Sequence, residues 1–269
     1  MEKKGTIISL IFIGIVLLSS VGFIIFSGIT ANEYNYVQLE INPRVEFLCD
    51  KNFKVVSVRP INEDAEIMLI GVEYKGMDIS DAAVDFIDTC SRAGYIDVDG
   101  KDNAVNITVI DGITQALDVH ITQKINNYFR QNEILCAVIE NYEDRNMFDE
   151  KKKHQVCCPN KFKLMQTLQE LMPDKELEEL GKMSEVQLID LVNNLHTEYS
   201  FEPSSEQIEL KTKLIDFNRE KYTKHINNIT NESQSKFSTA YDKFQKTEGQ
   251  KYAIDFNKSY TDWQNKHIS

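Results

Sequence analysis

Apolar and polar residues alternate from Tyr34 to Asp50. Val37, Leu39, Ile41, Val45, Phe47 and Cys49 share one parity, the period of a half-buried strand, and Leu48 is the main exception. Asp50, Lys51 and Asn52 signal a turn, and residues 53–60 read as a second strand. Asn62 or Asp64 is placed to cap a helix running to about Ile70. Asp78, Ser80 or Asp81 opens the next, with a stripe of Ala82, Val84, Phe86, Ile87 and Cys90 that Gly94 is placed to end. Residues 104–111 form a β-rich strand and residues 133–140 a last one. Between them, residues 113–132 read as a helix, with Ile113, Leu117, Ile121, Ile125 and Phe129 recurring every fourth position. About four strands and three helices predict a small α+β domain over 34–142, its sheet covered on one face.

The pattern then changes. Residues 143–159 are charged and read as a connector. Residues 160–200 are a helical segment with Leu164, Leu168, Leu171, Val186, Leu188, Leu191 and Val192 as its buried faces. Residues 201–269 are a polar helical tail. Leu210, Leu214, Phe217, Tyr222, Ile226, Ile229, Phe237, Tyr241 and Phe244 recur there, mostly three to five apart, and a break is expected within 227–235, rich in Asn and Ser. An all-helical C-terminal region follows the sheet domain, read as a helical hairpin or a partner-binding helix.

Ahead of the alternating segment, residues 6–29 carry no charge. About 20 apolar residues cross a bilayer core, so the stretch predicts a transmembrane helix after a stub at 1–5. Lys3 and Lys4 precede it and the next basic residue is Arg44. That bias puts the N-terminus in the cytoplasm and the C-terminal domain outside the cell membrane, a single-pass arrangement. The competing reading is a cleaved signal peptide, but an apolar region of that kind runs to only about 7–15 residues. Of 42 acidic and 30 basic residues in the chain, only Glu2, Lys3 and Lys4 lie before the stretch, so a net charge of -13 falls after it. This suits a soluble domain near an anionic surface and argues against a nucleic-acid partner. Hydrophobic residues at 42% exclude wholesale disorder. Five cysteines make no disulfide framework.

One residue pair carries candidate chemistry. Asn42-Pro43 lies inside the strongest strand pattern, where proline normally marks an edge or bulge. One reading is a kinked edge strand. The other is chemical: an Asn side-chain amide attacks its own main-chain carbonyl, forms a succinimide and expels the proline nitrogen. Proline's tertiary amide twists more easily than an ordinary one, and strain in a tight segment weakens amide resonance further. Such an event is a single intramolecular turnover, so the chain is not read as an enzyme. Elsewhere the chemistry is thin. Cys157-Cys158 is adjacent and lacks zinc or redox spacing, and Cys49, Cys90 and Cys136 sit on apolar faces. The five histidines are scattered, and no hydrolase, P-loop or dinucleotide motif occurs. No cofactor or metal is expected.

Several runs together resemble a known family. They are Glu40-Ile41-Asn42-Pro43-Arg44-Val45-Glu46-Phe47, then Val55-Val56-Ser57-Val58, then Asn62-Glu63-Asp64-Ala65. Tyr74-Lys75-Gly76, the Ala93-Gly94-Tyr95-Ile96 helix end and residues 158–171 extend the likeness across about 36–197. The segment resembles the extracytoplasmic middle domain of the RsgI-like anti-sigma-I factors, with Arg44 where the family has a small residue. The resemblance implies a signal-sensing membrane protein, self-cleaved between Asn42 and Pro43, with a sigma-regulatory partner and envelope proteases. It also implies an N-terminal cytoplasmic sigma-binding domain, for which residues 1–5 leave no room. A paralogue reduced to anchor and outer domain, or a start placed too late, would account for that. The alternative function is an uncut envelope interaction module that binds a partner through its helical tail.

Overall fold

The alternating segment is two strands. β1 (Asn35–Glu40) and β2 (Arg44–Cys49) pair antiparallel, with Val37 opposite Phe47 and Leu39 opposite Val45. The structure is a computed structural model that describes residues 34–110, 117–140 and 159–267. The chain divides into two units, Met1–Glu33 and Tyr34–Ser269, and the first lies outside the described residues.

β3 (Val55–Pro60) joins the free edge of β2, and β4 (Asn103–Ile110) pairs antiparallel with β1. β5 (Cys136–Glu140) runs parallel to β4 and completes the order β3-β2-β1-β4-β5. β1 is therefore the central strand, bonded on both sides.

On one face the odd-numbered positions Val37, Leu39, Val45, Phe47, Val105 and Ile107 meet α1 (Glu63–Leu69), α2 (Ile79–Ala93) and α3 (Leu117–Gln131). Local chemistry sets the helix ends. Asp78 accepts a hydrogen bond from the Ser80 N–H at 3.1 Å, and Gly94 closes α2 at φ 88°. A side chain at Gly94 would also meet the Asn218 amide at 2.6 Å, so close approach and backbone both demand glycine.

The second face is covered as well. Tyr36, Leu48 and Ile110 pack against α4 (Pro159–Leu171), α5 (Leu177–Gly181) and α6 (Glu185–Glu198). Capping boxes at Ser184 and Ser204 start α6 and α7 (Ser205–Asn227). α7 lies across the ends of the first helical layer. The Lys211 ammonium donates to the carbonyls of Met68 and Ile70, both at 2.7 Å, and the Asn218 amide donates to that of Ala93 at 2.8 Å. These carbonyls at the ends of α1 and α2 would otherwise lack intrahelical donors.

The tail then turns around the sheet edge. Tyr241 of α8 (Asn231–Phe244) is buried in the first core, whereas Tyr260 of α9 (Gln250–His267) is buried in the second. The π-helical turn Gln245–Gly249 joins them beside β5. There the Gln245 side chain accepts from the Val138 N–H at 3.0 Å and donates to the Cys136 carbonyl at 2.5 Å. An edge strand left bare presents such groups to other chains. Gln245→Ala is expected to lower stability by about 1–2 kcal/mol, and faster amide exchange at Val138 would report it.

The α+β expectation with an N-terminal transmembrane helix, about four strands and three helices needs correction. The described residues form a mixed α/β structure with a five-stranded sheet and nine helices. The extra strand arises because residues 34–50 turn back at Asn42-Pro43. The sheet is covered on both faces, and the C-terminal helices pack onto it. No helix among the described residues is long and apolar enough to cross a membrane, and the 6–29 stretch lies outside them. The 143–159 connector, except Pro159, also lies outside them.

Candidate functional site

Glu40 stands opposite Arg44, which leaves Ile41, Asn42 and Pro43 as a three-residue hairpin connection. Asn42 sits at φ 82°, a left-handed conformation that Asn tolerates better than most residues. The Ile41 N–H donates to the Pro43 carbonyl at 2.9 Å, folding the turn tightly. Asn42 is exposed and Pro43 is buried. The two residues that sequence reasoning singled out therefore lie at the apex of a turn, and proline is accommodated there because no ladder hydrogen bond is required of it.

Both flanks of the turn are pinned. On one side, α4 supplies Lys163 to Glu40 at 2.7 Å, and Glu170 pairs with the Arg44 guanidinium. On the other, Asn62 at the N-cap of α1 bonds the turn directly. Its Oδ1 accepts from the Arg44 N–H at 3.0 Å and the Ala65 N–H at 3.1 Å, and its Nδ2 donates to Asn42 Oδ1 at 3.2 Å. The turn is thus fixed from both layers, and its amide side chain has a defined direction.

A second group of polar residues, not recognised as a unit from sequence, is buried between β1, β2, β3 and α6. Glu46 is fully buried. It accepts from the Tyr36 hydroxyl at 3.1 Å, with Arg59 Nη1 at 3.6 Å and His196 Nε2 at 3.3 Å. His196 Nδ1 lies 2.9 Å from Ser57 Oγ. Burial, together with the Glu46 carboxylate, pushes the Tyr36 phenol well above its ordinary pKa, so it remains a donor. Tyr36, Gln38, Glu46, Ser57 and Arg59 occupy the face that alternation alone assigns to solvent. The only available signal was the density of hydrogen-bonding side chains at these positions.

The hairpin and its central strand lie within a known domain. Residues 34–167 match the family model described as the anti-sigma factor RsgI-like central domain. This segment belongs to that family. Anti-sigma-I factor RsgI3 of Acetivibrio thermocellus is 38% identical over 74 residues, 28% of this chain and 11% of the relative. RsgI9 of the same organism is 35% identical over 80 residues, 30% of this chain and 11% of the relative. RsgI7 gives a longer match, 25% identical over 185 residues, 66% of this chain and 33% of the relative. The matched segments thus span at most about a third of these relatives.

The RsgI-like domain ends within α4, so it includes Lys163 but not Glu170 of the clamp. The cysteines resolve into two groups. Cys49, Cys90 and Cys136 are free and buried, and burial pushes each thiol up, which makes them poor thiolates. Cys157 and Cys158 lie outside the described residues. His120 and His225 bond locally to Ser80 and to the Asn132 carbonyl, while His154 and the side chain of His267 lie outside the described residues. Among the described residues no cluster of three or more His, Cys, Asp or Glu is arranged to hold a metal.

Proposed function

We propose that this chain is a regulatory protein of the anti-sigma-I type at the cell membrane, and that its RsgI-like domain cuts itself once between Asn42 and Pro43. The observation that carries the cleavage is Asn42 at φ 82° directly before Pro43, with its side-chain oxygen held by Asn62. The Asn42 Nδ2 attacks the Asn42 carbonyl carbon. A carbon–nitrogen bond forms in the five-membered succinimide, the bond to Pro43 breaks, and the proton lost from Nδ2 ends on the Pro43 nitrogen. No water is consumed until the succinimide later hydrolyses.

The anti-sigma role rests on the family of residues 34–167 and on relatives that carry that name. The partner is then a sigma-regulatory component, and envelope proteases act downstream of the cut. Membrane attachment with the N-terminus cytoplasmic is supported by the uncharged residues 6–29 behind Lys3 and Lys4. The domain layout expected from sequence, with the outer domain at 34–142 and helical segments at 160–200 and 201–269, belongs to this reading.

Cleavage does not free the halves. β1 ends two residues before the cut and stays between β2 and β4, with Val37 and Leu39 fully buried. Withdrawing it breaks two ladders at once, so the fragments separate only when the sheet is disrupted. Intact-mass analysis of the purified full chain is expected to give a stub ending at Asn42 and a fragment starting at Pro43. Freshly cut, their masses sum to that of the whole chain, whereas hydrolysis by a protease adds one water. Under native conditions they co-elute, and in denaturant they part. A single uncut mass after long incubation rejects the cleavage reading.

The second reading is an uncut interaction module acting through its helical tail. Phe217 of α7, 86% exposed, is the observation that favours it. Leu214, Tyr222, Phe237 and Tyr241 of the same tail instead pack on the first core.

A further inference from the structure

The Asn62 side chain spans the bond between Asn42 and Pro43. Its Oδ1 takes the N–H of Arg44, just past the bond, and its Nδ2 reaches the side chain of Asn42, just before it. The same Oδ1 takes the Ala65 N–H and so caps α1. Two backbone donors on one oxygen fix which end of the Asn62 amide is which. Its Nδ2 can then only donate, so Asn42 must present Oδ1 to it. That leaves the Asn42 Nδ2 as the free end of the amide, available to its own backbone carbonyl.

We propose that Asn62 is a positioning residue for self-cleavage: it orients the Asn42 amide for ring closure and steadies the charge that gathers on Asn42 Oδ1. The inference rests on the cleavage reading above. Ring closure takes a proton from Asn42 Nδ2, and the displaced charge is shared with Oδ1. A donor already aimed at that oxygen stabilises the charge without rearrangement, as in other preorganised sites. Holding the side chain also removes rotamers that point the nitrogen away. Asn62 is half-buried and sits on a helix end braced by the sheet, so the donor is not on a mobile loop.

The two ends of the Asn62 amide separate structure from chemistry. Asn62→Asp keeps an acceptor for the Arg44 and Ala65 N–H groups, and Asp caps helices as well as Asn does. It replaces the donor with a carboxylate oxygen, which repels Asn42 Oδ1 or turns the Asn42 amide so that its nitrogen is captured. The full chain and its variants are made by cell-free synthesis, and cleavage is followed on denaturing gels across a pH series. Asn62→Asp is expected to cut about 10²-fold more slowly at neutral pH, yet, placed in the uncut Asn42→Gly background, to melt at the same temperature as Asn42→Gly alone. The wild-type to variant rate ratio should shrink only at acid pH, below the ordinary carboxyl range, because the Arg44 and Ala65 N–H groups favour the ionised form and the introduced carboxyl donates again only once protonated. Asn62→Ala, lacking both ends, should be slow at every pH and less stable.

An Asn62→Asp chain that cuts at the wild-type rate overturns the positioning role and leaves the cleavage reading standing. A slow variant with a lowered melting temperature and a pH-independent ratio marks a merely structural residue and also overturns it. A wild-type chain that never cuts removes both.

Discussion

Asn42→Gly is expected to leave a single uncut chain of normal fold. In the proposed route the nucleophile is the side-chain amide, and glycine has none, so neither stub nor Pro43 fragment should form at any pH. Glycine also suits φ 82° at no steric cost, so the hairpin closes as before, with stability within about 1 kcal/mol of the chain before cleavage. That makes it a cleaner variant than Asn42→Ala. Alanine also abolishes the cut, but its Cβ at positive φ costs roughly 1–2 kcal/mol. The pair is checked by intact mass and by urea unfolding: both lose cleavage completely, and the alanine variant unfolds at lower urea than the glycine variant. Should the glycine variant still cut between residues 42 and 43, the succinimide route is wrong and an external nucleophile is at work. Pro43→Ala tests the other side of the bond. It restores an ordinary secondary amide, harder to twist, and should slow cleavage without abolishing it.

Much of this site is written in local sequence. Asn62, Asp78 and Gly94 announce helix ends through short-range chemistry, and all three act there. The hairpin is harder to see. Across a three-residue connection, opposite residues are separated by an even number, as with Leu39 and Val45 or Val37 and Phe47. Parity is then preserved through the turn, and one long strand and a hairpin give the same alternation. Only Asn42-Pro43 distinguishes them, and the pair fits a kinked edge as well as a turn.

The second covering layer is invisible for a different reason. Gln38, Glu46, Ser57 and Arg59 are polar, and a polar face of a sheet normally meets water. Here α4 and α6 cover it, and those polar groups face one another, Thr167 and His196 through hydrogen bonds and longer ion pairs, with Gln38 Nε2 and Arg59 Nε left without a hydrogen-bond partner among the described residues. Likewise Lys211 and Asn218 read as surface residues of a polar helix. Their role as caps for α1 and α2 depends on carbonyls more than a hundred residues away in the chain.

That buried group sets the other large expected effect. Arg59→Ala removes the cation facing Glu46, whose carboxylate is shut off from solvent with Tyr36 and His196 around it. Breaking a buried pair by deleting one partner costs about 3–5 kcal/mol, because the remaining charge is stranded. The Arg59 side chain is 14% exposed, so water reaches its end of the pair and the lower part of that range applies. It also lies over the Tyr199 ring at 5.6 Å, a contact the substitution removes as well. Urea unfolding of Arg59→Ala should show a reduced midpoint with an unchanged slope, a loss of about 3 kcal/mol. Glu46→Gln in the same background should recover part of that loss, since a neutral amide needs no cation and can still accept from Tyr36. A loss below about 1 kcal/mol in Arg59→Ala would place the pair among exposed ion pairs. It would mean that α6 does not seal this face of the sheet. A full loss would mean that the layer over Glu46 is part of what holds β1 in place, because Tyr36, the donor to that carboxylate, is itself a β1 residue. In the proposed cut protein, β1 is what joins the two halves, so Arg59→Ala should also lower the urea concentration at which the fragments separate.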